Sequence, residues 1–99
     1  MKIADGIHLI ASGSLGISLT HAYDCNAFAV RCGDRYWLID SGVGQGTEKI
    51  IEELERDGVS DRKIGGLLLT HYHLDHSGGA AWIQRHLGTP VMAGAETAR

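Results

Sequence analysis

Between Thr70 and Gly79 the chain reads Thr-His-Tyr-His-Leu-Asp-His-Ser-Gly-Gly, and three of its six histidines fall inside that stretch. No other feature constrains the chain as strongly. The segment follows directly on the apolar run 64–69, so a dense group of imidazoles and one carboxylate stands where a strand gives way to a loop. In extended backbone, residues two apart project to the same side. His71 and His73 can therefore reach one metal ion while Tyr72 and Leu74 point away into packing. Asp75 and His76 follow where the chain turns toward a helix, and such neighbours can converge on a second ion. Imidazole with carboxylate suits zinc, iron or manganese. The lack of thiolates in the pattern argues against a closed structural zinc site and for an open one that keeps water. Gly78 and Gly79 leave room for the backbone as it bends from loop into helix.

The rest of the chain supplies a frame for this junction. Residues 6–10 and 17–20 read as one hairpin around the turn-rich stretch 12–16, and residues 26–32 and 36–39 as a second, joined through Gly33, Asp34 and Arg35. The second ends abruptly on Asp40, before the glycine-rich loop 42–46. Thr47 is the expected N-cap of an amphipathic helix that buries Ile50, Ile51 and Leu54 and stops at Gly58. Residues 64–70 read as a strand buried on both faces. Ser77 is the expected cap of a second helix running to Leu87, with Ala80, Ile83 and Leu87 inward and Gly88 as its end. Residues 89–93 begin another strand and 96–99 a further helix. Strands first, then helix and strand in alternation, predict α/β layers in a single domain over residues 1–99.

Composition narrows the partners. With a net charge of −3 the chain lacks the clustered Lys and Arg that phosphate recognition draws on, so nucleic acid is not an expected partner. Its apolar runs fall far short of the roughly 20 residues that span a bilayer. Lys2, Asp5, Gly6 and His8 do not form an apolar leader, which predicts a cytoplasmic location. Cys25 and Cys32, if joined by one strand, face opposite ways and stand roughly 20 Å apart. They are read as buried structural thiols and not as a disulfide, with a metal or redox role as the lesser alternative because no CxxC spacing exists.

The run from Thr70 to Gly79 resembles the signature of the metallo-β-lactamase fold superfamily, Thr-His-x-His-x-Asp-His-x-Gly-Gly, at every fixed position. The segment Leu38, Ile39, Asp40, Ser41, Gly42 is similar to that family's strand-end motif, and Asn26, Ala27 and Phe28 to the strand before it. The resemblance implies an αββα sandwich, with His71 and His73 on the first metal and Asp75 and His76 on the second. It also implies that Asp40 hydrogen-bonds and orients a metal-site histidine, a role that suits a carboxylate at a strand end. Family members are commonly twice this long or more. Their later half supplies a third histidine, a bridging carboxylate and a final histidine, so this chain reads as the N-terminal half of the sandwich.

The function so implied is metal-dependent hydrolysis of a thioester, ester or related bond in a small-molecule substrate, nearest in flanking pattern to glyoxalase II-type enzymes. Two divalent cations, zinc foremost and iron or manganese as alternatives, would generate hydroxide at neutral pH and polarise the scissile group. Asp75 is the expected catalytic residue, orienting the nucleophile through its free oxygen. Iron-dependent oxidoreductases of the sulfur dioxygenase or diiron flavoprotein type share the scaffold, and a non-catalytic metal-binding fragment is the third reading. His8, His21 and His86 are weaker candidates, and Tyr36, Trp37 and Trp82 read as packing residues.

Overall fold

A computed structural model of the chain describes residues 1–70 and 73–93. Six strands form one sheet in sequence order: β1 (Lys2–Ala4), β2 (Ile7–Ala11), β3 (Ala27–Cys32), β4 (Arg35–Ile39), β5 (Ile64–Leu69) and β6 (Val91–Ala93). The first four run antiparallel and the last three parallel. The parallel steps need crossovers. Helix α1 (Glu48–Arg56) and the single 3-10 turn Asp61–Lys63 lie between β4 and β5, and α2 (Leu74–Ser77) with α3 (Ala80–Leu87) between β5 and β6.

Pleating sorts the side chains into two faces. The cross-strand row His8, Ala29, Leu38, Leu67, Val91 belongs to the covered face, where Ile50, Ile51 and Leu54 of α1 and Ile83 of α3 pack in the same buried cluster. A bulge near Ile10 turns both Ile10 and Ala11 into that core. The alternate row, Phe28, Ile39, Leu68, Met92, belongs to the opposite face. There Val30, Cys32, Trp37, Ile39, Leu68 and Met92 line a shallow concavity of about 360 Å³, with Leu68 39% and Met92 53% exposed. The strand over 64–70 is thus not buried on both faces along its length, since Leu67 is fully buried on the helix side while Leu68 is exposed on the other, a correction to the reading from its apolar sequence. The described residues form one α-layer and one β-layer, the half-sandwich that the motifs imply.

Several local readings change. Residues 17–20 do not pair with β2, because they curl around Ser12. The Leu19 and Thr20 amides donate to the Ser12 carbonyl, and the Ile17 amide to Ser12 Oγ. The partner of β2 in the first hairpin is instead β1, through Gly6 at a φ of +73°. Thr47 precedes α1 but makes no side-chain cap; its Oγ1 is buried without a partner among the described residues. Ser77 ends α2 and does not start α3, since its hydroxyl donates back to the His73 carbonyl. Leu74 is 67% exposed, not packed. Cys32 is exposed, Cys25 is half-buried, and no disulfide joins them. The helix expected at 96–99 lies outside the described residues. Among the described residues, no helix is long and apolar enough to cross a membrane.

Candidate metal centre

The centre is built where β4 and β5 end side by side. The Asp40 amide donates to the Leu68 carbonyl at 2.9 Å, and the backbone then leaves the ladder at a φ of +67°, the left-handed region that Asp and Asn tolerate best among side-chain-bearing residues. That twist aims the carboxylate across the end of β5. Asp40 Oδ1 accepts the Thr70 amide at 2.8 Å and Oδ2 accepts the Thr70 hydroxyl at 2.5 Å, so the side chain supplies the rung that the backbone has abandoned. The same Oδ2 stands 2.9 Å from His76 Nδ1. Asp40 is only 4% exposed, and a buried carboxylate of this kind persists because its lone pairs are taken up by donors. With the proton on Nδ1 facing Asp40, His76 Nε2 carries the lone pair, the form in which imidazole binds a cation.

The backbone of His76 is held as firmly as its ring. Its carbonyl accepts both the Ser41 amide at 2.7 Å and the Ser41 hydroxyl at 2.9 Å, and Ser41 is fully buried. His73 stands at the N-cap of α2 with its carbonyl taking the amides of His76 and Ser77. The turn after α2 meshes with the loop after β4: the Gly78 amide donates to the Gly42 carbonyl, and a β-carbon at Gly78 or Gly79 would overlap the carbonyl of Val43 or Ser41. Asp24 secures the same loop from the other side, its Oδ1 accepting the Val43 amide at 2.7 Å.

Among the described residues, Cys25, Asp40 and His76 bring candidate ligand atoms within 4.8 Å of one another. Asp75 lies within α2, and its side chain, like His71 and Tyr72, lies outside the described residues. The donor chemistry fits a divalent cation: a carboxylate that holds one ring nitrogen of an imidazole orients the other as the metal-binding one. The sequence missed the parts played by Cys25, Thr70, Ser41 and Asp24. Thr70 and Ser41 carried a signal, as members of the signature and of the strand-end motif. The other histidines are used elsewhere. His8 Nδ1 pairs with Asp57 at 2.7 Å and its ring meets Tyr36 edge-on, His21 Nδ1 accepts the Tyr23 amide, and His86 stacks on Trp82.

Comparison with known proteins shows the family. The chain is 32% identical over 95 residues to exodeoxyribonuclease YycJ of Bacillus anthracis, covering 93% of this chain and 31% of that protein. It is 31% identical over 72 residues to the probable metallo-hydrolase MJ0888 of Methanocaldococcus jannaschii, covering 73% and 34%. The chain thus spans about a third of the length of these relatives. In fold it matches a Cronobacter sakazakii metallo-beta-lactamase with the HARLDQ motif, at a TM-score of 0.82, 21% identity and coverage of 99% of this chain and 35% of that one. A B3 metallo-beta-lactamase with an active-site glutamic acid matches at a TM-score of 0.76 and 26% identity, over 94% and 31%. Residues 22–99, the part that holds the strand-end acid and the histidine segment alike, match the metallo-beta-lactamase superfamily as a whole, and it is to that superfamily that the chain belongs.

Proposed function

We propose that these residues form part of the metal site of a hydrolase that cleaves a thioester, ester or related bond in a small-molecule substrate. The observation that carries the reading is the His76 ring, whose Nδ1 stands 2.9 Å from the buried Asp40 carboxylate, so that Nε2 is the nitrogen a cation would take. In this reading His71 and His73 hold one divalent cation and Asp75 and His76 a second, zinc in preference to iron or manganese. When bound, such a pair lowers the pKa of water and polarises the bond to be cleaved. The chain's own residues position: Asp40 and Ser41 fix the ring and backbone of His76, and Asp75 orients the nucleophile.

The similarity to an exodeoxyribonuclease favours a second substrate class, phosphodiesters, which the same chemistry serves. The test is to purify the full-length product that contains this chain, determine its metals, and assay a thioester, a carboxylic ester and a phosphodiester. Zinc with thioester or ester hydrolysis, lost on chelation and restored by zinc, is the expected result. Phosphodiester cleavage alone selects the second reading. Bound iron with oxygen consumption and no hydrolysis overturns both.

A further inference from the structure

We infer that Cys25 is a metal ligand, its thiolate joining His76 on the cation that the imidazole holds. The inference rests on the metal-site reading above and adds to it a donor that lies outside the histidine segment. The Cys25 sulfur, an Asp40 carboxylate oxygen and a His76 ring nitrogen lie within 4.8 Å of one another. In a tetrahedral zinc site, with Zn–S near 2.3 Å and Zn–N near 2.0 Å, sulfur and nitrogen stand roughly 3.5 Å apart. The three donor atoms thus stand on the scale of a shared coordination sphere.

Position 25 is also held from both sides. Asp24 is fastened to the Val43 amide, and Asn26 Oδ1 accepts the Ser12 hydroxyl at 2.7 Å. Cys25 is half-buried between these anchors, on the wall of a cavity of about 380 Å³ that also takes in Tyr23, Asp24 and Asn26. As the sulfur–metal bond forms, the thiol proton leaves to solvent and no electron is transferred. A thiolate makes the donor set softer and favours zinc over manganese. This departs from the expectation of a site without thiolates, because the thiol comes from a loop 51 residues before His76 and the histidine segment gives no sign of it.

The experiment uses the full-length product with cobalt(II) in place of zinc. The expected result is a sulfur-to-cobalt charge-transfer band in the near-ultraviolet that Cys25→Ser and Cys25→Ala abolish and Cys32→Ser leaves unchanged. Zinc affinity should fall at least about 10-fold in Cys25→Ser, the lower bound for losing even an outer partner of a ligand. Should the Cys25 variants fail to fold, the unaltered protein provides the second measurement: stoichiometric zinc should slow alkylation of Cys25 by iodoacetamide and not that of Cys32. No cobalt–sulfur band in the unaltered protein, a band that survives Cys25→Ser, or alkylation of Cys25 indifferent to bound zinc overturns the inference. None of these readouts is turnover. A protein that shows the band and hydrolyses nothing defeats the proposed function alone, and a zinc hydrolase without the band defeats this inference alone.

Discussion

At the scale of single residues, Asp40 meets two demands that substitutions can separate. Asn fits the left-handed backbone as Asp does and can still accept the Thr70 amide, but it presents an amide N–H₂ to His76 Nδ1. The ring must then accept at Nδ1 and carry its proton on Nε2, the wrong form for a cation. Asp40→Asn should therefore leave stability within about 1 kcal/mol of the parent while metal affinity falls roughly 10–100-fold, as read by calorimetric titration with zinc. Asp40→Ala removes the acceptor of the Thr70 amide and of the His76 ring, and with it the side-chain hydrogen bonds that help position 40 hold its positive φ. It should lose about 2–4 kcal/mol in urea unfolding. Equal losses of stability in the two variants would refute the separation. Asp40 was legible in the sequence as an acid that stops a strand before a glycine loop. Cys25 was not, because its relation to Asp40 and His76 exists only once β3, β4 and α2 are side by side.

At the scale of elements, α1 is tied to the sheet by charge as well as by its apolar stripe. Asp57, just past the end of α1, faces buried His8 of β2 at 2.7 Å and the Met1 ammonium at 3.0 Å. Burial pushes the Asp57 carboxyl up, but the hydrogen bonds from His8 and the ammonium outweigh it and hold the carboxyl below its ordinary range. A depressed pKa in the folded state contributes stability above the unfolded value near 3.8, and that contribution is lost as pH falls through the folded value. Asp57→Asn should therefore destabilise the protein at pH 7 by about 1.5–3 kcal/mol. The gap from the parent should close on acidification below about pH 3.8, and a gap independent of pH would count against the assignment. The stripe of Ile50, Ile51 and Leu54 was plain in the sequence because a period of 3.6 survives any context. The pairing of residues 17–20 was misread because Ser12 takes their backbone donors, Leu19 and Thr20 on its carbonyl and Ile17 on its hydroxyl, and apolar pattern does not register that capture.

At the scale of the whole molecule, the sheet has one helix-covered face and one apolar face on which Leu68 and Met92 remain exposed. A surface of that kind seeks a cover. A polypeptide of these 99 residues should self-associate as its concentration rises, measured by light scattering after size exclusion, and Leu68→Lys should shift it toward monomer. A monodisperse monomer at high concentration would show the face to be sufficiently covered as it is. The six-stranded sheet itself divides into an antiparallel part and a parallel part that meet at β4 and β5, and the Asp40 carboxylate closes the last rung between them. Joinery and chemistry therefore share one side chain, with a consequence for reading drifted copies of such a gene. A copy relieved of its reaction would still be selected for the joint, could exchange Asp40 for Asn, and would resist Ala. Finding Asp or Asn in place testifies to an intact sheet, and only Asp together with the histidine it serves can testify to a working enzyme.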